Sequence, residues 1–396
     1  MTNWKCYKVS EFAEVIGGGT PKTGVAEYWN GDIPWITPKD LSSHKARYIA
    51  KGERNISQEG LKNSGAQTVP PNTVLLTSRA PVGYLAIAKN ELTTNQGFRS
   101  LVARKGFSPE FVYYLLLNNI DYLKQHASGS TFQELSGGTL KNLEFQIPDY
   151  ATQLEIAKIL GDLDAKIELN QQMNKTLEAM AQALFKRWFV DFKFPGHEEV
   201  RFVDGLPEGW RSSEFGEIVF CVRNQVQPGE HLSNRNYVPI ECMPMNQVCL
   251  SEHKSYAEAQ SSLITFEKGD ILFGAMRAYF HRVNYAPFAG ITRTTVFVLR
   301  PKREHGLSYA LCLMNLNESV EYANAHSRGS TMPYAVWDNS LEKMPVVLPP
   351  DDILIEFDKI IRPFIDAMNG NAEITRGLTQ IRDSLLPRLM SGDVVV

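Results

Sequence analysis

The 396-residue sequence has few cysteines and no close pair among them. Cys6, Cys221, Cys242, Cys249 and Cys312 are odd in number and lack a Cys-x-x-Cys spacing. That argues against a disulfide framework or a zinc site and for reduced thiols in a cytosol. Long apolar runs are missing too. Nowhere do 18 hydrophobic residues follow one another, so no segment reads as a membrane span. The start, Met1-Thr2-Asn3-Trp4-Lys5-Cys6, lacks the apolar stretch of a signal peptide, and the expected location is the cytoplasm. Positive charge is also short. The formal net charge is −3, so a nucleic-acid partner would need local basic faces. Residues 1–148 carry net +4, 149–195 net −1, and 196–348 and 349–396 net −3 each. Taken alone, those numbers are better accounted for by a solvated mixed-charge surface.

Catalytic signatures are the last absence. There is no P-loop, no His-Glu-x-x-His and no convincing cluster of nuclease carboxylates. Neither a methyltransferase Asn/Asp-Pro-Pro-Tyr/Phe segment nor a glycine-rich S-adenosylmethionine loop is found. His197, Glu198 and Glu199 stand alone and read as a solvated linker. Gly17, Gly18, Gly19, Thr20, Pro21, Lys22 and Thr23 look like a phosphate cradle. Their spacing is not that of a P-loop, and Pro21 removes a backbone N–H where donors are wanted. A glycine-rich surface loop remains, able to approach a DNA phosphate through its amides. The pattern favours a binding and assembly protein over an enzyme.

What is present is a duplication built around two helices. Apolar residues recur at spacings of four and three at Ile156, Leu160, Leu163, Ile167, Leu177, Ala181, Leu184 and Trp188, with Asn170 and Asn174 in the same register. This heptad seam marks a helix that packs along another helix. Two hundred and one residues on, the register falls on Phe357, Ile361, Phe364, Met368, Asn371, Thr375, Leu378, Arg382, Leu385 and Leu389. Only Arg382 breaks the repeat, and Asn170 is matched by Asn371. Gly161-Asp162 and Arg362-Pro363 predict a break in each helix, since a mid-helix proline costs about 3 kcal/mol. The long piece, roughly 28 residues, would span about 42 Å. Two copies of one unit pair about a pseudo-two-fold axis. Antiparallel helices would then hold the two globular parts about 40 Å apart, near one turn of DNA.

The repeat extends into the globular parts. Ser10-Glu11-Phe12-Ala13-Glu14-Val15-Ile16 is matched by Ser213-Glu214-Phe215-Gly216-Glu217-Ile218-Val219. A helix is predicted over 108–125, capped by Ser108 with Pro109 in its first turn, and its counterpart over 308–325. Gly129-Ser130-Thr131 and Gly329-Ser330-Thr331 follow, then short strands over 143–147 and 344–348. Trp29 and Trp35 flank a strand over 33–37 interrupted by Pro34 and read as core. The fold class is therefore α+β: two mixed α/β domains joined by two long antiparallel coiled-coil helices, an internal pseudo-two-fold repeat. The boundaries expected are 1–150, 151–193, 194–350 and 351–396.

Arg79 and Arg277 each follow a buried strand. Arginine reads guanine edges and clamps phosphates, and a structural ion pair is an equally good account. Gln96 and Arg99 lie near the first; Tyr279, Arg282 and Arg293 lie near the second; Lys22 and Lys39 sit on loops. These nine are the candidate DNA contacts. Leu163, Ile167, Asn170, Leu177, Leu184, Trp188, Phe364, Met368, Asn371, Leu378 and Leu385 are the candidates for helix pairing and subunit docking.

Three stretches together resemble a known family: Gly18-Gly19-Thr20-Pro21-Lys22-Thr23 with Trp29-Asn30-Gly31-Asp32-Ile33-Pro34-Trp35-Ile36, Leu154-Glu155-Ile156-Ala157-Lys158-Ile159-Leu160, and the run from Leu163 to Phe192. Ser384-Leu385-Leu386-Pro387-Arg388-Leu389 adds to them. Along nearly its full length the chain resembles the specificity subunit of type I restriction–modification systems. The resemblance implies two target-recognition domains, each reading half of a bipartite, asymmetric sequence in double-stranded DNA. It implies that the helical regions set the unread gap and dock two methyltransferase subunits, with restriction subunits joining them. No cofactor would bind this chain; S-adenosylmethionine, ATP and Mg would sit on the partners. A single-chain DNA modification enzyme and a two-headed scaffold for protein or RNA are the alternatives.

Overall fold

The computed structural model describes residues 4–79, 81–129, 133–250 and 252–394. Two compact units emerge: Met1–Glu168 with Leu378–Val396, and Leu169–Gly377.

The first unit contains β1 (Lys5–Lys8), α1 (Val9–Phe12), β2 (Ala13–Gly17), β3 (Trp29–Ile36), α2 (Pro38–Ser43), β4 (Tyr48–Ile49), β5 (Arg54–Ile56), α3 (Gln58–Lys62), β6 (Thr68–Val69), β7 (Val74–Ser78), β8 (Val82–Ala88), β9 (Leu92–Thr94), β10 (Phe98–Ala103), α4 (Pro109–Asn118), α5 (Ile120–Gln125), α6 (Gly137–Asn142) and β11 (Glu144–Ile147). Its main sheet has the order β2-β10-β7-β8-β4, a second runs β5-β3-β9-β6, and β1 pairs with β11. Val74-Leu75-Leu76-Thr77-Ser78 is buried throughout, as a central strand covered on both faces must be. Against β7 and β8 packs α4, with Phe111, Val112, Tyr114 and Leu116 buried.

The Ser108 hydroxyl accepts from the Phe111 N–H and caps α4. The helix expected over 108–125 is two helices, because Asn119 leaves helical geometry between them. β3 continues through Pro34, with a register shift between Trp29 and Ile33 absorbing the irregularity.

The second unit repeats the order of the main sheet over four strands. It holds β12 (Phe202–Val203), β13 (Leu206–Pro207), β14 (Arg211–Glu214), α8 (Phe215–Ile218), β15 (Val219–Val222), β16 (Gln225–Val226), β17 (Asn236–Tyr237), β18 (Leu263–Phe266), β19 (Ile271–Gly274), β20 (Val283–Tyr285), β21 (Gly290–Arg293), β22 (Val296–Pro301), α9 (Leu307–Met314), α10 (Asn317–Ala325) and β23 (Pro345–Leu348). The sheets run β15-β22-β19-β20 and β16-β18-β21-β17, and β14 pairs with β23. Strand for strand, β15, β22, β19 and β20 take the places of β2, β10, β7 and β8. Of the repeated tripeptide, Ser130 and Thr131 lie outside the described residues.

Two long helices complete the chain: α7 (Tyr150–Phe185), which continues as a π-helical turn over Lys186–Val190, and α11 (Asp351–Met390). Their 36 and 40 residues correspond to about 54 and 60 Å. The predicted breaks do not occur. A Cβ on Gly161 would lie 2.5 Å from Arg47 Nη1, so glycine is there for close approach and not as a helix stop. Pro363 lies on the exposed side of the helix, while Phe357, Ile361, Ile365 and Met368 anchor the other face. Packing of that face outweighs the cost of one lost bond.

Within the second unit the helices pair in antiparallel register. Asn170 Nδ2 meets Thr375 Oγ1 at 3.4 Å, Asn371 Nδ2 donates to Asn174 Oδ1 at 2.9 Å, and Asn174 Nδ2 donates to the Met368 carbonyl at 2.9 Å. Phe185, Trp188 and Phe189 enter that unit's core beside Tyr309 and Phe357. Within the first unit, Leu386, Leu389 and Met390 join Ile156 and Leu160 in the core.

Candidate nucleic-acid interface

In the first unit the glycine loop is strapped down from beneath. Trp35 Nε1 donates to the Gly19 carbonyl at 2.9 Å and Trp29 Nε1 to that of Lys22 at 3.2 Å. The two indoles meet edge to face at 5.1 Å, and the Arg54 guanidinium covers Trp29 at 3.6 Å. They are core residues whose polar edges hold the loop.

Around this loop the structure gathers most of the first unit's candidates. Thr20 donates its hydroxyl proton to the exposed Gln96 side chain. Arg99 lies on β10, with Nη1 donating to the Phe98 carbonyl. Its Nη2 is 3.3 Å from Glu134 Oε1, and Arg79 Nη1 is 3.7 Å from the other oxygen of the same carboxylate. Lys39 is exposed on α2 and pairs with the exposed Glu53 at 2.7 Å. So exposed a pair is worth little, and the ammonium stays available to a phosphate. Lys22 is exposed at the loop's far end.

The candidates of the second unit are more scattered. Arg277 sits in left-handed conformation at φ 53°, fixed by its N–H donating to the Pro333 carbonyl at 2.7 Å. Tyr279 is exposed and packs on Phe280. Arg282 is turned inward: Nη1 donates to the Ile240 carbonyl and the guanidinium lies over Phe280 at 5.7 Å. Arg293 is exposed at the end of β21, near Glu241. Burial pushes the Glu241 carboxyl up, but its own backbone N–H, Lys254 and Arg293 outweigh this and hold it below its usual range. Burial lowers the His281 imidazole despite a hydrogen bond with Asn315.

The helical candidates divide by burial. Ile167, Asn170, Trp188 and Met368 are buried; Leu163, Leu177, Leu184, Phe364, Asn371, Leu378 and Leu385 are half-buried. Sequence reasoning missed the polar groups that complete these sets. Glu134 gave no motif, although it lies three residues past a repeated tripeptide. Asp164 follows a seam leucine, yet it is Asp164 that faces inward. Its carboxylate accepts from Tyr114 Oη at 2.6 Å and from Arg382 Nη1 at 2.8 Å. Burial would lower the Arg382 guanidinium, but Asp164 and Asp383 raise it further. Thus Arg382, the one break in the repeated seam, has a partner built for it.

Among the described residues, no group of three or more His, Cys, Asp or Glu side chains is arranged to hold a metal ion. No helix among them is long and apolar enough to cross a membrane.

Comparison with known proteins places this geometry. The family described as Type I restriction modification DNA specificity domain matches residues 1–179 and 207–381, one match for each copy of the repeat. The MjaIX type I restriction enzyme specificity subunit of Methanocaldococcus jannaschii is 36% identical, over 100% of this chain and 94% of its own length. The HindI specificity subunit of Haemophilus influenzae is 24% identical, over 72% of this chain and 77% of its own. The crystal structure of a type I restriction–modification S subunit from M. genitalium superposes with a TM-score of 0.61 at 15% identity, covering 98% and 96% of the two chains, which shows a shared fold. With the family matched in both copies and a relative aligned end to end, the chain belongs to the type I restriction–modification specificity subunits.

Proposed function

We propose that this chain reads a split target in double-stranded DNA, one half through each unit, and carries the subunits that act there. The observation that carries this is the duplication: one strand order occurs twice, and each copy is matched by the specificity-domain family. Two similar heads with different surface side chains suit a target whose halves differ in sequence. We assign the heads to 1–150 and 194–350 and the helical regions to 151–193 and 351–396. The helical regions fix the length of unread DNA between the halves.

The partners are two methyltransferase subunits and the restriction subunits. Buried seam residues hold the helices; docking falls on what faces out. In the second unit Leu169, Met173 and Met180 are exposed on α7, and Ile360 and Ile374 on α11. Met173 and Ile374 are 201 residues apart, so each helix offers an apolar stripe to the same kind of partner. The chain itself is non-catalytic. S-adenosylmethionine, ATP and Mg belong to the partners, and work on DNA beside them places the chain in the cytoplasm. Lysine and arginine contacts to phosphate give affinity with a steep salt dependence, while base contacts give the sequence.

The test is a single-molecule methylome of cells carrying this gene with its methyltransferase gene, against cells lacking only this one. Loss of methylated adenine at one split, asymmetric motif is expected. An unchanged methylome in an otherwise active system would overturn the reading.

A further inference from the structure

The two units can be matched residue by residue through their backbone bonds. In the first, the Leu135 N–H donates to the Ser78 carbonyl, Ser78 donates to Gly97, and Ser128 and Glu134 exchange both bonds. In the second, Ala335 donates to Ala275, Ala275 donates to Thr295, and Arg328 and Tyr334 exchange both bonds. Arg79, Arg99, Glu134 and Gly137 therefore occupy the places of Met276, Phe297, Tyr334 and Trp337. Two cations, an anion and a glycine in one unit are replaced by four uncharged side chains in the other.

The chemistry of the two surfaces differs accordingly. In the first unit, one Glu134 oxygen holds Arg99 at 3.3 Å and the other holds Arg79 at 3.7 Å. Arg99 lies along the backbone, where a Cβ on Gly137 would come within 3.3 Å of its Nε, and is 19% exposed. Arg79 is 37% exposed, and its contact is beyond hydrogen-bond range. Its guanidinium is aimed but not consumed. In the second unit Phe297 stacks on Phe273 and meets Trp337 edge to face, filling the place of Arg99. Tyr334 is 49% exposed beside the exposed Met332.

We propose that Arg79, aimed by Glu134 and backed by Arg99, reads a guanine in one half of the target, while the equivalent surface of the second unit reads its half by apolar contact through Tyr334. A fixed guanidinium fork matches the O6 and N7 acceptors of guanine, whereas an uncharged aromatic edge suits a thymine methyl. Glu134 is the positioning residue. Arg277, one residue past Met276, is not the equivalent of Arg79.

This inference rests on the specificity-subunit reading above. Its test uses the assembled methyltransferase complex on a library randomised in both half-sites, with Glu134→Gln, Arg79→Lys, Arg79→Ala and Tyr334→Ala variants. Glu134→Gln and both Arg79 variants should lose preference for guanine at one position of one half-site, by about 5- to 150-fold. Preference in the other half should be unchanged. Arg79→Lys keeps the charge and should keep the salt slope while losing the fork. Tyr334→Ala should relax only the other half. Unchanged guanine preference in all Arg79 variants would overturn the proposal. So would equal weakening on every sequence with a shallower salt slope, the mark of a phosphate contact. A parent complex with no sequence preference in either half would instead overturn the specificity reading itself.

Discussion

The two units solve one packing problem with opposite chemistry. Offset by 201 residues, Asp164 corresponds to Ile365 and Arg382 to Ala181. In the first unit this place holds a nearly buried carboxylate receiving Arg382 and the Tyr114 hydroxyl, which in turn accepts from Arg47. In the second, Ala181 and Ile365 line a cavity of about 250 Å³ beside Gln182, Leu311 and Cys312. One backbone arrangement thus accepts either a hydrogen-bonded ion pair or two apolar side chains. A lone member of that ion pair belongs to neither solution. The same holds at the surface, where Met276, Phe297 and Tyr334 of the second unit take the places that Arg79, Arg99 and Glu134 hold in the first.

The largest expected effect comes from breaking that pair. Arg382→Ala leaves the Asp164 carboxylate buried beside Tyr114 with its cation gone, and should cost about 3 kcal/mol. That is the low end for a buried pair, because Arg382 is 24% exposed. Adding Asp164→Ile installs the second unit's solution and should recover at least half of the loss. Urea midpoints measure both. The second unit serves as the internal control: burial pushes the Cys249 and Cys312 thiols up to about 12, so they resist labelling until that unit opens. A double variant no better than Arg382→Ala would sink the equivalence of the two solutions.

A smaller effect separates the units at the start of the strap. The Arg104 N–H donates to the Phe12 carbonyl as the Lys302 N–H does to that of Ile218, so the strands align three residues beyond the sequence match of Ser10–Ile16 with Ser213–Val219, and Gly18 corresponds to Asn224. A Cβ on Gly18 would lie 1.9 Å from the Asn95 carbonyl oxygen, a backbone contact that cannot move aside. Asn224 instead donates its side-chain amide to Thr265 Oγ1 at 3.0 Å. Gly18→Ala should cost about 2 kcal/mol, and Asn224→Ala about 1 kcal/mol. Equal losses in thermal unfolding would mean that the first unit's loop yields more than its contacts allow.

Sequence patterns carried the elements well where periodicity is strong. The heptad seam, the capped helix at Ser108 and the closing strands before Pro148 and Pro349 all follow from local rules. Those rules fail where tertiary contact outweighs them. Gly161 and Pro363 read as helix stops because the Arg47 guanidinium and the buried face of Phe357, Ile361, Ile365 and Met368 opposite Pro363 are not visible in the chain. Arg382 read as a flaw for the same reason: its partner lies 218 residues away. Of the surface candidates, the cluster around Arg79, Gln96 and Arg99 was legible as charge beside a buried strand. Glu134, which organises it, was not, because a single glutamate on a loop carries no periodic or spacing signal. Arg282 illustrates the converse, a basic residue that the fold turns inward to a carbonyl.

The smallest effect is a pH dependence, again of one unit. In each, a helix glutamate accepts a loop backbone N–H: Glu168 from Arg47 at 2.6 Å, Glu178 from Val248 at 2.7 Å. Burial pushes the Glu178 carboxyl above its ordinary 4.5, against the Val248 N–H and Lys175, which pull the other way. The folded second unit therefore holds a proton that the unfolded chain has released. Stability from this source is complete below the ordinary value and is lost as pH rises through the raised one. Acidifying within that window should stabilise the second unit. Glu178→Gln keeps an acceptor for Val248 and removes the titration, so its urea midpoint should be flat across the window and no lower than the parent's at neutral pH. A variant that keeps the parent's slope would assign the dependence to another group.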